Sequence, residues 1–229
     1  MESKVWDTLI DIEKRLEGAF YATGSIIEEP GMHRFNQPGW INKVWASARY
    51  RRAHIDVVDA RETKGLWMMH CCVFPKLDNP APIFGFDVIA GRNKMTGCFI
   101  DYSPTTEPDH PMIDFFAEEV SKYAWHKPRQ LPEWAQRIFS PHMVAAGNVS
   151  DENEIEQISN LANILVNHYV NNVDESEGCG SFEKIKEAQN YYAQNQKQNP
   201  HTPKVMTSLG LNEEDVRVFI QECLFPEIR

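Results

Sequence analysis

The stretch LWMMHCCVFPKLDNPAPIFGFDVIA, residues 66–90, decides the fold. Side chains alternate between the two faces of a strand, and the run Leu66–Phe74 is apolar on both. That is the pattern of a central strand covered on each side. A turn-prone patch, Pro75–Pro82, separates it from a second run, Pro82–Ala90, rich in β-branched and aromatic residues. The same alternation continues outward on both sides. Ser47–Ala60 precedes the patch Glu62–Gly65, and Met95–Tyr102 follows Gly91–Lys94, all within a strand-like segment from about 41 to 104. Links this short join antiparallel neighbours, because a parallel crossover needs about a dozen residues or more. A parallel nucleotide-binding sheet is disfavoured, and neither G-x-G-x-x-G nor a P-loop is present to support one.

The flanks read as helices. Over the first 20 residues Val5, Trp6, Leu9, Ile10, Leu16 and Phe20 fall on one broad face. Beyond the strands, His110–Tyr123 and Pro132–Phe139 are short helical candidates, and Ser150–Asn172 is a long one with Asp151 and Glu154 in capping-box spacing. Its apolar stripe is Ile155, Ile158, Ala162, Leu165 and Tyr169. Phe182–Gln196 and Glu213–Leu224 follow. Strands first and helices after predict an α+β fold, one antiparallel sheet with helices on its faces, in a single domain spanning 1–229.

Composition narrows the class. The chain has 229 residues, 42% apolar and 24% charged, which is globular and neither disordered nor collagen-like. A net charge of −10 argues against a general nucleic-acid binder. The charge is uneven: residues 1–137 carry 17 Lys and Arg against 19 Asp and Glu, residues 138–229 only 6 against 14. Arg49, Arg51, Arg52, Arg61 and Lys64 sit close together, either as solvated strand edges or as a dock for an acidic partner or ligand carboxylates. Five cysteines with no C-x-x-C pair exclude a zinc ribbon and argue against a disulfide framework at this size. The charged start and the lack of any apolar run near 18 residues lead us to expect a soluble, cytoplasmic protein, and the lack of an exposed apolar stripe a monomer.

Four ionisable groups stand mid-strand in this apolar setting. They are His54 and Asp56, then His70, then Asp87, on three successive strands. A buried ionised carboxylate is costly unless paired or hydrogen-bonded. Strands about 4.8 Å apart let such side chains meet directly or through one water. Either backbone and water satisfy each group separately, or His and Asp share protons in a dry pocket, the arrangement that proton-transfer chemistry uses. His54-x-Asp56 with His70 also imitates the two-His-one-carboxylate iron site. The short gap from Asp56 to His70 speaks against it, and no metal is expected.

Several ordered blocks resemble one family. His70-Cys71-Cys72-Val73-Phe74-Pro75, Phe84-Gly85-Phe86-Asp87, Asp101-Tyr102-Ser103-Pro104, the segment Pro128–Trp134 and Asn190-Tyr191 with the Gln/Asn-rich stretch to Asn199 are similar to the ferredoxin-dependent bilin reductases. Within that family the chain resembles most the phycocyanobilin:ferredoxin oxidoreductase branch and its phage phycoerythrobilin synthase relatives. The resemblance covers most of the chain beyond residue 20. It implies a three-layer α/β/α sandwich carrying biliverdin IXα on one face of the sheet. It also implies single electrons from reduced ferredoxin, bilin radicals as intermediates, and no bound flavin, nicotinamide or metal.

Roles follow by position. Asp87 matches the family's central proton donor and His70 its partner. His54 matches the histidine two residues before a catalytic Glu, and here that Glu is Asp56, one methylene shorter. The departure puts D-ring vinyl reduction in doubt. It favours a four-electron reduction to phycoerythrobilin through 15,16-dihydrobiliverdin, with phycocyanobilin as the alternative product. Asn199 stands where reductases of the A-ring often carry a second Asp. Arg92 and Thr96, after Asp87, and Arg129, in the Pro-Arg motif, are candidates for the propionates, and Tyr191, Asn199 and Trp134 for lining the site. The basic residues of the first half would then meet acidic ferredoxin in a transient electrostatic contact. The rival classes are a non-catalytic bilin- or haem-binding module and an iron oxygenase.

Overall fold

The computed structural model describes residues 3–229. Seven strands, β1 (Ser25–Ile27), β2 (Trp40–Ala46), β3 (Tyr50–Ala60), β4 (Leu66–Pro75), β5 (Ile83–Ala90), β6 (Met95–Ser103) and β7 (Val144–Val149), pair in chain order. Each is antiparallel to its neighbour, the meander expected from the short links. The helices are α1 (Lys4–Thr23), α2 (Arg61–Lys64), α3 (Pro111–Ser121), α4 (Glu133–Gln136), α5 (Glu152–Asn172), α6 (Phe182–Gln196), α7 (His201–Ser208) and α8 (Glu213–Val218).

Several boundaries differ from the sequence reading. Ser47–Arg49 is a turn, not strand: the Ser47 hydroxyl accepts from the amides of Arg49 and Tyr50. In α1 the buried positions are Val5, Leu9, Ile12, Leu16 and Phe20, so Ile12 joins the expected face, Trp6 packs at its edge and Ile10 is only half-buried. The first two residues of that expected helix lie outside the described ones. Asp151 caps α5 by accepting from the amides of Asn153 and Glu154. Glu154 does not reach back to complete the box; its carboxylate accepts instead from the His126 amide at 2.7 Å. The helix expected over Pro132–Phe139 is limited to Glu133–Gln136. The last helix ends as a wider π turn, Phe219–Leu224.

Two helical layers sandwich the sheet. On one face Ala53, Ile55 and Val57 of β3, Met69, Cys71 and Val73 of β4 and Phe84, Phe86 and Val88 of β5 join α1, α3 and α5 in one buried cluster. The opposite face meets α6, α7, α8 and the π turn in two smaller clusters. One gathers Trp40, Val58 and Met68 with Phe219 and Ile220; the other gathers Cys72, Phe74 and Ile83 with Tyr192. The α/β/α sandwich expected from the resemblance is therefore present.

The C-terminal layer is tied to the sheet by a buried cation. Arg52, only 3% exposed, donates to both carboxylate oxygens of Glu29 at 2.8 Å and to the Cys223 carbonyl at 2.7 Å. Breaking such a pair leaves polar groups unpaired in the interior. Arg52→Met keeps most of the volume and removes these bonds. It is expected to cost about 2–4 kcal/mol in urea unfolding and to speed proteolysis beyond residue 218.

Candidate active site on the C-terminal face of the sheet

Cross-strand register, not chain proximity, assembles the site. Asn42, Asp56, His70, Asp87 and Phe99 are successive partners on β2 to β6, and so form one row. The next row holds Val44, His54, Cys72, Gly85 and Asp101. All four ionisable groups singled out in the sequence thus share the face that turns toward the C-terminal helices. Its two flanks are filled by the clusters around Phe219 and Tyr192. The centre stays open: on β5 Gly85, Asp87 and Ile89 are half-buried while the residues between them are buried, and His70 and Phe99 beside them are half-buried too.

His54 and Asp56 sit deeper than the other pair, at 0% and 2% exposure. The Trp40 indole N–H donates to Asp56 Oδ1 at 2.5 Å, and Asn42 Oδ1 lies 3.1 Å from His54 Nε2. Neither anchoring residue emerged from the sequence, because β2 was not separated from the surrounding segment. His54 Nδ1 and His70 Nε2 are buried without a hydrogen-bond partner. Phe225 packs edge-on against the His70 ring, centroids 5.3 Å apart.

Burial drives the protonation pattern. It pushes Asp87 up to about 7, partly offset by the Val88 amide. It raises Asp56 likewise to about 7, with the Trp40 hydrogen bond pulling down and Asp87 adding to the rise. Burial and the Arg52 cation lower His70 to about 4 and hold His54 well below the ordinary histidine range. Acids that keep their protons near neutrality therefore flank a neutral imidazole. Asp101, in the second row, is pushed to about 6 by burial although Ser103 and Ser140 donate to it; it anchors the loop after α4.

The candidate binding residues separate into three groups. Arg129 comes to the site: it lies across the paired Gly97 and Gly147, with its guanidinium 5.8 Å from the Phe99 ring centre. A Cβ on Gly147 would fall 2.5 Å from Arg129 Nε, so glycine makes room for it. Arg92 and Thr96 lie in and beside the β5–β6 turn, at the end of the row-bearing strands, and the Thr96 hydroxyl is held by the Ile89 carbonyl at 3.0 Å. Asn199 accepts from the His201 amide at the start of α7. Tyr191 points outward at 49% exposure, and its neighbour Tyr192 faces the sheet beside Phe74 and Phe139. Trp134 packs on Phe139.

The clustered cations from Arg49 to Lys64 each have a partner within the chain: Arg49 with Asp174, Arg52 with Glu29, Arg61 with Asp59, Arg51 with Gln189, Lys64 with the Ser208 carbonyl. Arg51 and Arg52 are turned to the interior, whereas Arg49, Arg61 and Lys64 keep their contacts at the surface. Two surface grooves, beside α1 and α5 and on the outer side of α6, are also remote from the row. Among the described residues no three His, Cys, Asp or Glu are grouped to hold a metal ion, and no helix is long and apolar enough to cross a membrane.

A family model described as ferredoxin-dependent bilin reductase matches residues 32–226. The chain belongs to this enzyme family. Phycocyanobilin:ferredoxin oxidoreductase of Trichodesmium erythraeum is 28% identical over 170 residues, covering 72% of this chain and 67% of the relative. The enzyme of that name from Prochlorococcus marinus is 26% identical, covering 77% and 67%. A solved structure titled PcyX is 36% identical at a TM-score of 0.75 and covers 96% of this chain and 99% of its own. Phytochromobilin synthase from tomato, solved in complex with biliverdin, shares the fold at a TM-score of 0.71 and 17% identity, covering 93% and 81%.

The raised acid of this bilin reductase has a measurable consequence. Asp87 ionises at about 7 when folded but at its ordinary 3.8 when unfolded, so between those values rising pH costs stability. The lowered His70 acts oppositely, its contribution falling as pH drops from 6.5 toward about 4. Asp87→Asn removes the first effect, eases the rise at Asp56 in the same direction, and leaves the opposing His70 contribution in place. Its stability relative to wild type, followed by thermal unfolding, is expected to grow by about 2 kcal/mol between about pH 4 and pH 8, a figure reduced for the partial exposure of the group. A constant difference across that range would contradict the assignment.

Proposed function

We propose that the chain reduces biliverdin IXα with electrons taken singly from reduced ferredoxin, while Asp87, His70, Asp56 and His54 supply and redistribute the protons. The carrying observation is the Asp56–His70–Asp87 row on the open centre of the sheet. In the family fold, that face would hold a flat tetrapyrrole against groups poised near neutrality. Each two-electron stage adds two electrons and two protons. The protein provides the proton path, and ferredoxin the electrons, so no resident flavin, nicotinamide or metal is needed. Phe225 and the C-terminal helices exclude bulk water from the radical stages.

Arg129, beside the row, is assigned to a propionate, and Arg92 and Thr96 extend this basic, hydroxyl-bearing end. Asn199 and the inward face of α6 close the opposite side, whereas the outward setting of Tyr191 favours Tyr192 in the lining role. Ferredoxin is assigned a transient contact, with the reductase acting as a monomer in the cytoplasm.

Asp56 is the basis of the product reading. Its carboxyl is one methylene short of the family's Glu and is held toward β2 by Trp40, which withdraws it from the D-ring vinyl group. Phycoerythrobilin, through 15,16-dihydrobiliverdin, is the product this favours, as in phage-borne relatives. Phycocyanobilin also requires two two-electron stages, so electron count does not separate the products and chromatography does. Anaerobic incubation with biliverdin IXα and reduced ferredoxin is expected to yield phycoerythrobilin with a transient dihydro intermediate. Asp87→Asn should bind biliverdin within about threefold of wild type and lose 100-fold or more in turnover, on the order of a lost general acid. Phycocyanobilin would overturn the product assignment, and tight binding without reduction would identify a bilin carrier.

A further inference from the structure

A chain of three side chains fixes which nitrogen of His54 carries its proton. Asn36, just beyond the short helix Met32–Phe35, pairs with the backbone of Asn42. The Asn42 amide donates to Asn36 Oδ1 over 2.6 Å, and Asn36 Nδ2 faces the Asn42 carbonyl at 3.4 Å. A backbone N–H only donates, so the atom of Asn36 that receives it is the oxygen. That oxygen also accepts from Asn42 Nδ2 at 3.3 Å. The Asn42 amide group is thereby oriented, and its Oδ1 is the atom 3.1 Å from His54 Nε2. An amide oxygen only accepts, so Nε2 is the protonated nitrogen.

The other nitrogen is then settled. His54 is fully buried, and Arg52 and His70 are the charged and titratable groups that press on it from β3 and β4. A second proton is disfavoured there, and Nδ1 has no hydrogen-bond partner. The geometry points to Asn42, oriented by Asn36, as a positioning residue that holds His54 in the Nε2–H tautomer and leaves Nδ1 a bare acceptor within the proton-carrying rows. His54 enters turnover as an acceptor at Nδ1, not as a donor. The catalytic consequence rests on the bilin reductase reading; the tautomer does not.

The test combines spectroscopy of the substrate-free full chain with kinetics. In protein carrying 15N-labelled histidine, long-range 1H–15N spectra are expected to show a protonated-type Nε2 and a bare-type Nδ1 for His54. This pattern needs Asn42 Oδ1 at His54 Nε2 and Asn36 Oδ1 at Asn42 Nδ2. Asn42→Leu should lose it, and so should Asn36→Ala, which leaves Asn42 in place but free to turn. With biliverdin and reduced ferredoxin, Asn42→Leu and Asn36→Ala are expected to lower kcat about tenfold with KM little changed. An Nδ1–H signature in the wild type would overturn the proposal, as would unchanged kcat in variants that have lost the tautomer. A wild type with the expected tautomer that does not reduce biliverdin would uphold the tautomer and sink the reductase reading.

Discussion

Two carboxyl groups and an imidazole stand side by side across three paired strands, and burying them is the constraint around which the rest of the fold is arranged. A charge in this setting costs several kcal/mol unless it is paired or gives up its ionisation. The protein takes the second course. Asp56 and Asp87 keep their protons to about 7, and His70 stays neutral to about 4. A row that would be a defect in an ordinary core becomes a store of protons matched to neutral pH.

The remaining architecture maintains that condition. Apolar packing of α1, α3 and α5 backs the three strands on the opposite face, with Tyr102, Tyr169 and Phe84 meeting ring to ring behind them. β2 supplies the aim: Trp40 and Asn42, two residues apart on one face, each reach diagonally to a β3 group. Trp40 is itself wedged between Phe35 and Phe219, centroids 5.9 and 4.9 Å away. The aim of Asp56 therefore depends on the C-terminal π turn that carries Phe219. Arg52 binds that turn to β3 and, as a buried cation, discourages further positive charge on His54 and His70. Structure and electrostatics are coupled through one guanidinium.

Much of this was legible in the residues. The doubly apolar run Leu66–Phe74 and the short links on either side were enough for an antiparallel meander, and the intrusion of His70 and Asp87 into apolar strands marked the row. What escaped did so for physical reasons. β7, with Ala145, Ala146 and Gly147, has weak intrinsic strand preference and exists because β6 offers it an edge and Arg129 needs its glycine. β1 is three residues long and exposed. Tyr191 and Tyr192 differ by about 100° around a helix, and only packing decides which faces inward. Trp40 and Asn42 act across the sheet, along diagonals that no spacing in the chain encodes. Arg51 and Arg52 of β3 could have been solvated edge residues or part of a dock, and packing instead turns them to interior partners, Gln189 and Glu29.

The central claim is that Asp56 and Asp87 hold protons up to neutrality because of where the sheet places them. The direct measurement is a pH titration of their side-chain carboxyl 13C shifts in the substrate-free protein, assigned with Asp56→Asn and Asp87→Asn variants. The account predicts a coupled titration of both groups near 7, three units above an unperturbed aspartate. Midpoints near 4 for both would mean that the row is solvated and ionised at neutral pH, and the proton store would not exist.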